Sequence, residues 1–124
     1  MAEEQAGIGR DGLVGGLSTA TAVTGGVRIV TLAGEIDHHT GGQLRQALDL
    51  AGAVRPRIVI DMNRVTFMDS VGINILIAAH QDIAAAGGSL RLAAPTDAVS
   101  RVLQIVGIDQ IIECHPTLSR ALAL

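Results

Sequence analysis

The sequence has no Lys, Trp or Tyr, a single Phe (Phe67) and a single Cys (Cys114). Without Lys there is no G-x-x-x-x-G-K-[ST] phosphate loop, so intrinsic NTPase chemistry is not expected. One Cys cannot build an internal disulfide framework, which fits a reducing, intracellular setting. All nine basic residues are Arg, scattered among 12 acids for a net charge of −3. With one aromatic residue and no basic face, phosphate-backbone binding has little support, and nucleic acid is not an expected partner. No apolar run approaches the roughly 18 residues of a membrane span. The acidic start "MAEEQ" lacks the basic n-region and apolar h-region of a secretory signal. A soluble, cytoplasmic protein without a membrane partner is expected.

What is present is a chain of 124 residues, 48% apolar and 17% charged, enough for one compact domain and too little for two independent cores. Residues 1–15 hold four Gly and several charges without periodicity and read as a flexible leader, leaving 16–124 as the domain. "LSTATAV" and "VRIVTLAG", joined through Gly25 and Gly26, predict a β-hairpin, because paired glycines supply the positive φ of a tight turn. Thr40 and Gln43 have capping-box spacing ahead of Leu44, Ala47, Leu48 and Ala51, which predicts a first helix. "RIVID", Arg57 to Asp61, reads as a strand buried on both faces and therefore central. Val71 to Ala86 predicts a second helix, "SLRLAA" a further strand, and Thr96 or Asp97 the cap of a third helix carrying Val99, Val102, Leu103 and Val106. Ile111 and Ile112 offer a short edge strand, and "TLSRALAL" a last short helix with Leu118, Ala121 and Leu122 facing inward. The fold class is α/β: a mixed, mostly parallel sheet opened by a β-hairpin and packed against about four helices.

Sites in open α/β sheets form beyond the carboxyl ends of strands. Two polar clusters fall there, "GEIDHHT" and "FMDS", and neighbouring strands would bring Asp37, Asp69 and Ser70 to one edge. Ser and Asp are both favoured N-caps, so either residue can satisfy an orphan amide of the second helix. The cap is the plainer reading of the sequence, and it is compatible with a second: a serine hydroxyl at a helix N-terminus can carry a phosphoryl group, which meets free amides and the positive end of the dipole. Such a phosphate would leave the helix intact and act on a partner, by adding charge to a patch already holding Asp69 and Asp37. Val71, Ile73, Ile75, Leu76 and Ile77 spread around the second helix, interrupted by Asn74. Most of that surface reads as core, with Val71 and Ile73 near the start as candidates for a docking surface.

The blocks "GEIDHHT", "RIVIDMNRVTFMDSVGINIL", "GGSLRLAAP" and "VLQIVGIDQIIECHPTLSRAL" together resemble the anti-sigma factor antagonists of the STAS domain family, from about Gly16 to Leu124. The resemblance implies a partner-switching regulator. Unphosphorylated, it binds an anti-sigma factor with serine-kinase activity and so releases a sigma factor. Phosphorylated on the motif serine, which Ser70 matches, it lets go, and a PP2C-type phosphatase resets it. Asp37 and Asp69 match the acidic residues beside the phosphorylation site. The polar, bulky His38–His39 pair stands where members of that family are often varied, so the resemblance does not fix which partner is bound.

Other chemistries find less support. Met68 stands where G-x-S-x-G needs its first Gly, so no nucleophile elbow is indicated and no catalytic residue is expected. His38 and His39 would point to opposite faces of a strand, and His80, Cys114 and His115 lack metal-ligand spacing. Asp37 and Asp69 read as loop and cap hydrogen-bonders rather than Mg²⁺ ligands, so neither metal nor cofactor is expected. Cys114 reads as a small apolar filler. The rival function is a non-switching STAS scaffold or an accessory subunit of a transport system, in which Ser70 would serve only as a cap.

Overall fold

A computed structural model describes residues 16–123. The leader assigned to residues 1–15 lies outside the described residues. Five strands form one sheet in the order β1-β2-β3-β4-β5. They are β1 (Leu17–Thr24), β2 (Val27–Ile36), β3 (Arg57–Met68), β4 (Ser89–Ala93) and β5 (Glu113–His115). Strands β1 and β2 are antiparallel and every later pair is parallel. The helices are α1 (Gly41–Ala47), α2 (Ser70–Ala85), α3 (Asp97–Ile105) and α4 (Leu118–Leu122). This is the expected mixed α/β sheet opened by a hairpin, with Gly25 and Gly26 both at positive φ in the turn.

Strand β3 is central, and its alternation explains why "IVI", Ile58 to Ile60, had to be apolar throughout. Ile58 and Ile60 join the main core with Leu44 of α1, Leu76 of α2 and Leu103 of α3, while Val59 points to the other face. There it meets Val27, Ala93 and Ala121, under the short α4. Arg91 fastens that helix by donating from Nη1 to the carbonyls of Ala121 and Ala123 at 2.9 and 3.0 Å.

Four local expectations are corrected. Thr40 and Gln43 make no capping box. Thr40 has helical backbone angles and its buried hydroxyl donates to the Glu35 carbonyl at 2.9 Å, while Gln43 Nε2 donates to the Leu17 carbonyl at 3.1 Å. Ala51 is not on the face of α1, which ends at Ala47; it sits in the following loop with φ of 51°. Val106 lies past the end of α3 and is exposed. The edge strand is Glu113–His115, not Ile111–Ile112. Gly107, at φ of 78°, turns the chain into a 3₁₀ turn over Ile108–Gln110, and the Ile112 amide bonds back to the Ile108 carbonyl. Helical spacing thus buries Ile108 and Ile112 together and leaves Ile111 in solvent.

Candidate functional site: the edge at the ends of β2 and β3

The two polar clusters converge because β2 and β3 are parallel neighbours whose last residues, Ile36 and Met68, are register partners. The Asp69 amide continues the ladder to the Ile36 carbonyl at 3.2 Å. Asp37 and Asp69 therefore leave the sheet side by side.

From that point they do different work. Asp37 Oδ1 accepts from the amides of His39 and Thr40 at 2.8 and 3.2 Å and closes the turn into α1. His38 and His39 lie in this turn rather than on a strand, so their rings touch, centroids 3.9 Å apart and planes tilted by 40°, instead of pointing to opposite faces. Asp69 is the N-cap of α2, in extended conformation, its Oδ1 accepting from the Val71 amide at 2.9 Å. The cap is Asp69 and not Ser70. Ser70 is the first residue of the helix, exposed, and its hydroxyl makes no hydrogen bond among the described residues.

Two glycines permit this geometry. A Cβ on Gly72 would lie 2.6 Å from Met68 Cγ and 2.8 Å from Ile36 Cγ2, so the first turn of α2 rests directly on the strand ends. A Cβ on Gly41 would lie 3.0 Å from Val71 Cγ1, so α1 abuts the same turn. Val71 is in consequence half-buried, and Ile73 is buried in the core. Ile73 is thus corrected from docking candidate to core residue. In the first half of α2 the exposed residues are instead Ser70, Asn74 and Ala78. Asn74, which in the sequence is only the interruption of the apolar run, stands one helical turn from Ser70 on this exposed side.

Among the described residues, no cluster of three or more His, Cys, Asp or Glu is placed to hold a metal ion. A groove of about 690 Å³ between α1 and α2 is lined by Arg45, Leu48, Asp49, Ile75, Ala79 and Asp82, and Ser70 is not part of it. Cys114 is half-buried; burial, and then the charge of Asp109, push its thiol pKa up. The thiolate is the reactive form, so alkylation of Cys114 in the native state at pH 8 is expected to run slower than that of an unfolded-chain thiol, with denaturant removing the difference.

The division of labour between Asp69 and Ser70 has a measurable consequence. Asp69→Ala removes the side-chain cap and is expected to cost about 0.5–2 kcal/mol in urea unfolding. Ser70→Ala loses no hydrogen bond and is expected to stay within about 0.5 kcal/mol of the parent.

Sheet, helices and edge together define a small α/β module whose distinctive polar residues gather where two parallel strands end and a helix begins. The chain belongs to the STAS domain family: the STAS domain model matches residues 18–121. It is 33% identical over 92 residues to an anti-sigma F factor antagonist of Paenibacillus polymyxa, covering 73% of this chain and 79% of that protein. The crystal structure of an anti-sigma factor antagonist from Mycobacterium paratuberculosis superposes with a TM-score of 0.73 at 33% identity, covering 86% of this chain and 91% of that one. The Bacillus cell fate determinant SpoIIAA in its phosphorylated form superposes with a TM-score of 0.65 at 28% identity, over 85% and 96% of the two chains.

Proposed function

We propose that this protein is an anti-sigma factor antagonist working by partner switching in the cytoplasm, with Ser70 as the phosphoacceptor. Unmodified, it binds an anti-sigma factor that is also a serine kinase and so frees a sigma factor. Phosphorylated, it releases that partner, and a PP2C-type phosphatase restores it. The observation that carries the reading is the state of Ser70: exposed, first in α2, and unengaged because Asp69 already caps the helix. A residue needed only as a cap would be bonded to a backbone amide. The likeness to a relative solved in a phosphorylated form supports control by phosphorylation.

The physics of the site suits a switch. With the Val71 amide taken by Asp69, the amides of Ser70 and Gly72 have no partner among the described residues. They and the helix dipole stabilise a phosphate of about −1.5 to −2 charge, so α2 remains formed. The charge is then felt by whatever docks on Asp37, Asp69, Ser70 and the half-buried Val71. Incubating the protein with its cognate anti-sigma kinase and ATP, followed by intact mass and peptide mapping, tests this directly. One phosphate on Ser70 is expected; modification elsewhere, with Ser70 untouched, overturns the switch and leaves the scaffold reading.

A further inference from the structure

We propose that a second copy of this chain docks along β1, pairing the two β1 strands antiparallel about a two-fold axis at Thr21 into one continuous sheet. This does not rest on the role of Ser70.

The sheet has two outer strands, and they are built differently. β5 is three residues long and carries Glu113 and His115, which keeps that edge short and charged. β1 is eight residues long, "LSTATAVT", with no charge and no Pro, and its register with β2 runs through all eight pairs without a shift. Long, regular, uncharged edges are those that pair with other strands, and the usual protections of Lys, Pro or a bulge are missing here. Every residue from Ser18 to Thr24 is exposed, Val23 to 71%.

The direction of the free backbone groups follows from the turn. A two-residue turn at Gly25–Gly26 makes Thr24 and Val27 the hydrogen-bonded pair that closes it, so even-numbered β1 residues bond to β2. Two side observations agree. The Gly16 carbonyl accepts from the Glu35 amide, whereas the Leu17 carbonyl faces away from β2 and is taken by Gln43. The odd residues Thr19, Thr21 and Val23 therefore aim their N–H and C=O groups outward, with no partner among the described residues.

Those three residues form a self-complementary set. Antiparallel edge pairing about an axis normal to the sheet requires residues that face the same side to oppose each other. Centring on Thr21 sets Thr21 against Thr21 and Thr19 against Val23, allowing up to about six hydrogen bonds from the outward groups. The cross-strand contacts are then Thr–Thr and Thr–Val, which suit a sheet surface. No charge opposes a like charge in this zone, although the whole chain carries −3.

The test uses the full chain. In amide hydrogen exchange by NMR, protection of Thr19, Thr21 and Val23 is expected to rise between micromolar and millimolar protein, while Ala20 and Ala22 stay protected at both. Sedimentation should show a monomer–dimer equilibrium over that range. Thr21→Lys sets two ammonium groups against each other on the axis and should weaken dimerisation at least tenfold, whereas Thr21→Val should retain it. A millimolar monomer overturns the proposal. So does protection of the odd amides that is independent of concentration, the result expected if residues 1–15 cover the edge, and so does undiminished dimerisation of the Lys variant.

Discussion

Ser70→Asp is expected to weaken binding of the anti-sigma partner by about tenfold to a hundredfold, while Ser70→Ala binds like the parent and both retain its thermal transition. Because Ser70 is exposed and its hydroxyl makes no hydrogen bond among the described residues, neither change removes a contact on which the fold depends. The carboxylate of the Asp variant sits at a helix N-terminus, where negative charge is favourable, so the loss is felt only across the interface. There it joins Asp69 and Asp37, and like charge brought against a surface shaped for a neutral hydroxyl costs on the order of 1.4–2.8 kcal/mol, one to two decades in Kd. The measurement is calorimetric titration of each variant into the partner. A phosphate carries more charge than Asp, so the enzymatically phosphorylated protein should bind more weakly still. Equal affinity of the Ala and Asp variants would return Ser70 to the scaffold reading.

Much of this edge was legible in the sequence, for reasons that differ residue by residue. The two-faced burial of Ile58, Val59 and Ile60 follows from an uninterrupted apolar run, and a central strand followed by an acid, a hydroxyl and a helix places a polar edge at its end. That β2 and β3 are neighbours, which brings Asp37 beside Asp69, is a condition the sequence leaves open, since consecutive strands pair often but not always. Which of Asp69 and Ser70 caps α2 was not legible, since both residue types suit the position and the choice depends on where the strand releases the chain. Ile73 was misplaced because an apolar helix without a stripe does not reveal its buried side; that α1 and the strand ends both crowd the first turn of α2 is tertiary information. The capping box at Thr40 failed for a similar reason. Its hydroxyl is drawn to the Glu35 carbonyl, five residues upstream, a partner that exists only once β2 has turned into the loop. The shift of the edge strand from Ile111 to Glu113 reflects a choice between two uses of the same isoleucines, settled by the left-handed Gly107.

The second large effect concerns Gly72, whose place in "DSVGI" carries no chemistry of its own. Gly72→Ala is expected to destabilise the protein by about 1–3 kcal/mol, although Ala is ordinarily the better helix former by up to about 1 kcal/mol. The reversal of sign comes from contact: the added Cβ falls 2.6 Å from Met68 Cγ and 2.8 Å from Ile36 Cγ2, both inside the core. Met68 is flexible and can yield, whereas Ile36 is β-branched and held by its strand, so the first turn of α2 must lift. Gly42→Ala supplies the control, since a Cβ there meets nothing within 4 Å and the backbone is helical. That variant should be neutral or slightly stabilised. A double-mutant cycle with Ile36→Ala, which removes Cγ2, separates steric cause from propensity: if Ile36 is the obstacle, the combined loss should fall short of the sum by about 0.5–3 kcal/mol, and strict additivity would place the strain elsewhere. Because the lifted turn carries Ser70, Gly72→Ala should also slow phosphorylation by the partner kinase under conditions where the variant remains folded. A normal rate in a destabilised Gly72→Ala protein would show that the kinase reads Ser70 without needing the turn seated on the strand ends.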